Sequence, residues 1–181
     1  EISAADGSIG AMMALHNGLV CKPILAHGTD AQKARYLRPL AQGQINGAFG
    51  LTEPEAGSNA FAIRTRAVRC DGGYRISGTK QFMSNGRSAD IAIVFAATES
   101  DDPRRRITAF LVPPASAGYR AVRVEEKLGL SASETCQVQF DQVFVPDDHV
   151  LGQPGSGYAL AMGTLELGRL GIAAQSVGMA R

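Results

Sequence analysis

The chain has 181 residues, 45% hydrophobic and 19% charged, which is the composition of an ordinary globular protein long enough to bury a core. Lys and Arg total 18 against 17 Asp and Glu, and a net charge of +1 gives no electrostatic basis for binding nucleic acid or an anionic membrane. Cys21, Cys70 and Cys136 are odd in number, far apart and without a CxxC pair, and His16, His27 and His149 lack ligand spacing, so neither a disulfide framework nor a metal site is indicated.

Residues 1–43 read as helical. Met12, Leu15, Leu19 and Val20 fall near helical spacing, and Lys22-Pro23 is expected to break the run. Gly28-Thr29-Asp30 offers a helix stop followed by an N-cap. Ala31 to Leu40 then forms a short amphipathic helix with Tyr36, Leu37 and Leu40 inward, closed by Gly43.

From residue 45 the period changes. Phe61, Ile63, Thr65 and Ala67 alternate with polar neighbours, and Asp71-Gly72-Gly73 supplies a tight hairpin turn before Tyr74 and Ile76 resume the alternation. Ile91 to Ala97 and Ile107 to Val112 are continuous apolar runs, the first expected to be covered on both faces. Cys136, Val138 and Phe140 alternate with Gln137, Gln139 and Asp141 as a one-sided strand. Strands without intervening helices predict an antiparallel barrel or sandwich. After Pro154-Gly155-Ser156-Gly157 the helical period returns, rich in Gly163, Gly168, Gly171, Ala173, Ala174 and Gly178, so close packing on other helices is expected. Glu166 and Arg169 share a face and can pair.

The start Glu1-Ile2-Ser3 has no basic or apolar leader region, and no stretch of 18 uncharged apolar residues occurs, so neither a secretory signal nor a membrane span is expected. A start without Met and an end at Arg181 inside a helical pattern lead to the expectation of a piece of a longer protein. A reducing compartment fits the cysteines.

Two loops carry the chemistry. Phe49-Gly50-Leu51-Thr52-Glu53-Pro54-Glu55-Ala56-Gly57-Ser58-Asn59 combines a strand end with hydroxyls, Pro and Gly. Such a loop fits an ordinary turn, and also a loop whose outward amides bind an electron-rich ring or a phosphate. It matches neither the dinucleotide nor the P-loop fingerprint. Lys80-Gln81-Phe82-Met83-Ser84-Asn85-Gly86 ends in a strong turn dipeptide and by itself reads as a hairpin.

Together the two loops closely resemble the paired signatures of the acyl-CoA dehydrogenase family. Family-like segments follow in order: Gly28 to Lys33, Lys127-Leu128-Gly129 with Ser133-Glu134-Thr135, Phe140 to Pro146, Leu151-Gly152, and Gly168 to Ala173. The resemblance spans nearly the whole chain. It implies an α+β multi-domain fold: residues 1–44 the end of an N-terminal helical domain, 45–152 an antiparallel β-barrel, and 153–181 the first helix of a C-terminal helical domain. It also implies FAD as cofactor and a short- or branched-chain acyl-CoA as substrate. The product would be the trans-2-enoyl-CoA, the electrons would go to an electron-transfer flavoprotein, and the assembly would be a homotetramer built as a dimer of dimers. Location in the bacterial cytoplasm is expected ahead of the mitochondrial matrix. Same-fold oxygen-using flavoenzymes and a non-catalytic flavin-binding module are the alternatives.

Carried over residue by residue, the resemblance assigns Phe49, Leu51, Thr52, Gly57, Ser58, Phe82, Met83 and Ser84 to the flavin. Thr52 would meet the pyrimidine edge, and the Ser84 hydroxyl would lie near the reacting ring nitrogen. Ser58, Glu166, Leu167, Gly168 and Arg169 would face the CoA side of the substrate. Asn59 departs from the usual Asp, Phe82 and Ser84 from the commoner Trp and Thr, and Ser131 stands where an Arg is usual. One family branch carries its catalytic Glu where this chain has Gly168. Glu166 lies two residues away, roughly 200° round a helix. No catalytic base is therefore assigned within the chain; it is expected beyond Arg181, with Glu53 and Glu55 read as structural.

Overall fold

The computed structural model describes the backbone of residues 1–181 and every side chain but that of Pro103. It begins with helices α1 (Ile2–Ala5), α2 (Gly7–Leu15), α3 (Lys22–His27), α4 (Asp30–Gln32) and α5 (Arg38–Ala41). Asp6 caps α2 by accepting from the amides of Ser8 and Ile9. Thr29 caps α4 in a reciprocal box with Gln32.

Lys22-Pro23 does not break the first helix. A π turn at His16–Cys21 precedes α3, and the Lys22 amide bonds back five residues to the Asn17 carbonyl. A second π turn at Lys33–Leu37 precedes Pro39, and there the Arg38 amide reaches Lys33. In both places the wider turn ends two residues before the proline, the residue that cannot donate, and the chain stays helical past it. The resulting run Gly7–His27 has 21 residues and mean hydropathy 1.3, long and apolar enough to cross a membrane on length and composition alone. Here it is a packing helix: Val20 and Ile24 are fully buried in a core shared with the sheet.

The strands are β1 (Gly47–Gly50), β2 (Arg66–Cys70), β3 (Gly73–Ser84), β4 (Ile91–Ala97), β5 (Ile107–Val112), β6 (Tyr119–Val124), β7 (Thr135–Pro146) and β8 (Val150–Leu151). They form one sheet in the order β6-β7-β3-β2-β4-β5-β8, with β1 paired to β4. The helix–strand–helix architecture expected from sequence is present, but the sheet is mixed rather than purely antiparallel. β1 runs parallel to β4 and β2 touches β4 in parallel. A parallel pair needs a long crossover, and the stretch from Gly50 to Ile91 supplies one that contains the whole β2–β3 hairpin.

That hairpin turns at Asp71-Gly72, where Gly72 has φ +70°. β2 begins only at Arg66, because Ala60–Ala62 form a 3-10 turn; the alternation noted from Phe61 onward is in burial, not in strand pairing. The Asn85-Gly86 turn exists, yet it does not make a hairpin, since β3 pairs with β2 and β7 while the chain crosses to β4.

Both faces of β4 and β5 are covered, which accounts for their unbroken apolar sequences. Ile91, Ile93 and Phe95 face the helices together with Val20, Ile24 and Leu40. Ala92, Val94 and Ala96 face Phe110, Val138 and Val143 inside the curved sheet. Full burial of side chains such as Phe95 and Phe110 contributes roughly 1.5–3 kcal/mol each.

Helix α6 (Gly157–Ala180) closes the chain. Its glycines permit close approach: Cβ atoms built at Gly157, Gly171 and Gly178 would lie 2.8 Å from the Ile107 carbonyl oxygen, 3.0 Å from Ala14 Cβ and 2.8 Å from Ser3 Cβ. Gly163, Ala173 and Ala174 point outward and take no part in this packing. Among the described residues Glu166 and Arg169 do not form an ion pair.

Candidate functional site

The two loops singled out in sequence meet at the end of β1. β1 delivers Phe49 and Leu51 into the core, and Phe49 stacks edge-on against Phe95 at 5.1 Å. The next residues turn tightly: Glu53 and Ala56 bond each other's backbones at 3.0 and 3.1 Å, leaving Pro54 and Glu55 at an exposed tip. Gly57 and Ser58 are exposed beyond it, and a Cβ at Gly57 would meet nothing within 4 Å.

On β3 a one-residue bulge falls at Gln81–Phe82, for Lys80 pairs with Val138 and Met83 with Cys136, three steps against two. Phe82 takes φ +55°, a costly conformation for an aromatic residue, and its ring is 63% exposed. Met83 is wholly buried and Ser84 half-buried.

Three hydrogen bonds join the loops. The Gln81 amide donates to the Thr52 carbonyl at 2.8 Å. The Lys80 ammonium donates to the Leu51 carbonyl at 3.0 Å and to Glu53 Oε1 at 2.8 Å. In a trans peptide the C=O and N–H point oppositely. With the Leu51 carbonyl aimed at Lys80, the Thr52 amide is therefore turned away from the buried ammonium.

The Lys80–Glu53 pair was not recognised from sequence. Its signal is a charged residue, Lys80, inside a strand four residues before its end at Ser84. Lys80 is completely buried and Glu53 6% exposed. Glu53 also accepts from the amides of Arg64 at 2.6 Å and Thr65 at 3.0 Å. Burial pushes the Glu53 carboxyl up, but the Lys80 charge and these donors outweigh it and hold it below the ordinary range. Burial pushes Lys80 down to about 8 against the opposing pull of Glu53, so the lysine is still protonated at neutral pH.

Neither carboxylate of the first loop stands free beside Phe82 and Ser84. Glu53 is held in the Lys80 pocket, and Glu55 pairs with Arg64 at the exposed tip. Glu166, Leu167 and Arg169 lie on the exposed face of α6, and a Cβ at Gly168 would lie 2.9 Å from Leu19 Cδ2 on the opposite, packed side. Among the described residues no hydrogen bond or ion pair joins this segment to the two loops. Ser131 lies in the exposed loop before β7.

The exposed groups suit a flavin ring: an aromatic side chain at Phe82 held at φ +55° and hydroxyls at Thr52 and Ser84, whereas Met83 and Leu51, assigned to the flavin from sequence, are packed in the core.

Comparison with known proteins places these features in a wider setting. Residues 48–143 match the family model described as acyl-CoA dehydrogenase, middle domain, and residues 1–44 match the acyl-CoA dehydrogenase N-terminal domain. An acyl-CoA dehydrogenase of Bacillus subtilis is 42% identical over 180 residues, 99% of this chain and 48% of that protein. Butyryl-CoA dehydrogenase from Megasphaera elsdenii superposes with a TM-score of 0.95 at 40% identity, over 98% of this chain and 47% of its own. A chain from the structure of the electron transferring flavoprotein of Acidaminococcus fermentans superposes equally well, 0.95 at 40% identity over 97% and 46%. The chain thus spans about half the length of the proteins it matches.

Proposed function

We propose, from the premise that this chain belongs to the acyl-CoA dehydrogenase family of FAD-dependent oxidoreductases, that it holds the isoalloxazine side of an FAD site for α,β-dehydrogenation of a short- or branched-chain acyl-CoA. The observation that carries the reading is the junction of the two loops, where Gln81 bonds Thr52 and Lys80 bonds both Leu51 and Glu53.

FAD, when bound, would accept the β-hydrogen as hydride. The chain's own residues prepare the place for it. The Thr52 amide, turned away from Lys80, and the Thr52 hydroxyl are donors suited to the pyrimidine edge, where negative charge builds on reduction. Phe82 would shield a bound ring from water, and the Ser84 hydroxyl would be a donor available to it. Gly57 leaves room for close approach of the phosphate arm, with Ser58 as its donor. Glu53, buried against Lys80, is unsuited to take the α-proton, and no base is assigned within the two loops. Glu166 to Arg169 are assigned to the CoA side of the substrate.

The similarity to butyryl-CoA dehydrogenase supports a short acyl chain, and the likeness to a chain in an electron-transferring flavoprotein structure supports such a protein as electron acceptor. A homotetramer in a reducing cytoplasm completes the reading, in keeping with three unpaired cysteines. Anaerobic addition of butyryl-CoA or isobutyryl-CoA to the full-length, FAD-loaded protein tests it. Bleaching of the flavin colour is expected, and a flavin that stays oxidised with every acyl-CoA tried would overturn the dehydrogenase reading.

A further inference from the structure

We infer that Lys80 is a positioning residue for the flavin site, fixing the Leu51–Thr52 peptide so that its amide faces outward and bracing the strained Phe82 bulge from below. This rests on the flavin reading above and deepens it.

The geometry is specific. One ammonium, fully buried, donates both to the Leu51 carbonyl on the first loop and to Glu53 on the turn that follows. The next residue on its own strand, Gln81, donates its backbone amide to the Thr52 carbonyl. The Gln81 side chain continues the brace outward. Its carbonyl oxygen accepts from Gln137 Nε2 at 2.6 Å, and its amide nitrogen donates to Glu125 at 2.5 Å. The residue after that is Phe82, at φ +55°. Three consecutive residues thus lock one loop, join two neighbouring strands and present the aromatic ring.

A lysine kept wholly out of water is expensive, and apolar residues in place of both Lys80 and Glu53 would avoid that cost. What an apolar residue cannot do is orient the Leu51 carbonyl. Because the peptide is rigid, rotation of that carbonyl carries the Thr52 amide with it. Removing the ammonium therefore alters the donor direction at the flavin edge even where the sheet remains folded. Glu53 serves a different purpose: it makes the buried ammonium tolerable and ties Arg64 and Thr65 to the turn.

These roles separate experimentally in the full-length, FAD-loaded protein. Lys80→Met is expected to lower both the melting temperature and FAD retention, the latter about tenfold or more, and to change the shape of the flavin visible absorption band. Lys80→Met combined with Glu53→Gln removes the stranded carboxylate and is expected to melt higher than the single variant while FAD retention and the altered band stay as in the single variant. Recovery of FAD retention and of the native band in step with stability would reduce Lys80 to a structural ion pair and overturn the inference. Failure of the unsubstituted protein to hold FAD would overturn the flavin reading itself, and this inference with it.

Discussion

The Lys80 ammonium lies 2.8 Å from Glu53 Oε1 in a pocket that leaves the lysine no exposed surface. Such a pair is held between desolvation and attraction, and its worth is visible mainly when one member is removed. Lys80→Met should cost about 3–5 kcal/mol in urea unfolding, because a buried carboxylate is then left without its counter-charge. Adding Glu53→Gln should recover part of that loss. The recovery is incomplete because the Arg64 and Thr65 amides, which now share two carboxylate oxygens, would compete for one amide oxygen.

The same pair sets a pH dependence. Burial moves Lys80 from 10.5 down to about 8, so between those values the unfolded chain holds more protons than the folded one. Stability attributable to this group therefore rises with pH across that window, as the cost of burying the ammonium fades. Glu53 acts at the other end. Its folded value lies below 4.5, so its contribution is complete above that pH and is lost as pH falls through the depressed value. Unfolding free energy measured from pH 3 to about 10.5 in the native and Lys80→Met proteins should differ in slope above pH 8. Parallel curves there would show that the lysine is not titrating in the folded state.

Phe82 offers an unusual separation of stability from binding. Its ring is 63% exposed, so little apolar burial is lost by truncation, while its φ of +55° is strained for any residue but glycine. Phe82→Gly should leave stability unchanged or raise it by about 1 kcal/mol, and yet weaken FAD retention. A variant that is destabilised while holding FAD normally would assign the ring to the fold.

Much of this architecture was legible in the chain. The apolar runs Ile91–Ala97 and Ile107–Val112 announce strands buried on both faces, and the Asp71-Gly72 turn announces its hairpin, since burial and turn chemistry are local properties. The parallel pairing of β1 with β4 was not legible, because it depends on a crossover of some forty residues rather than on any local pattern. Pro23 misled because a π turn lets the helix continue without the missing donor, and nothing in the spacing announces that turn. Near the two loops, the turn chemistry around Phe82 and Ser84 draws attention to that segment, whereas nothing local marks Lys80. A lysine in an alternating strand reads as solvent-facing until its partner, 27 residues earlier in the chain, is known.

Away from the site, Tyr36 and His149 form a second buried contact, hydroxyl to Nε2 at 2.9 Å with the rings edge-on. Burial pushes His149 below its ordinary value of 6.5 and keeps the imidazole neutral. The unfolded chain then gains its proton first on acidification, so stability falls as pH drops through 6.5 toward the depressed value. Tyr36→Phe should cost about 1–3 kcal/mol at neutral pH by removing the hydroxyl partner. His149→Gln should flatten the mildly acidic limb of the stability curve, and persistence of that limb would assign it to another group.

The packing of α6 yields an ordered pair of outcomes. At Gly168 an added Cβ would lie 2.9 Å from Leu19 Cδ2, the far end of a flexible side chain that can rotate aside. At Gly171 it would lie 3.0 Å from Ala14 Cβ and 3.7 Å from Ala14 Cα, atoms that move only if the helices part. Alanine gains roughly 0.8–1 kcal/mol of helix propensity over glycine at either position. Gly168→Ala should therefore be neutral or slightly stabilising. Gly171→Ala should lose a net amount on the order of 1 kcal/mol, because overpacking outweighs the propensity gain. Thermal melts of the two variants check the order. If Gly171→Ala proved the more stable, helices α2 and α6 would have to sit farther apart than described, and the close approach attributed to the small residues would not hold.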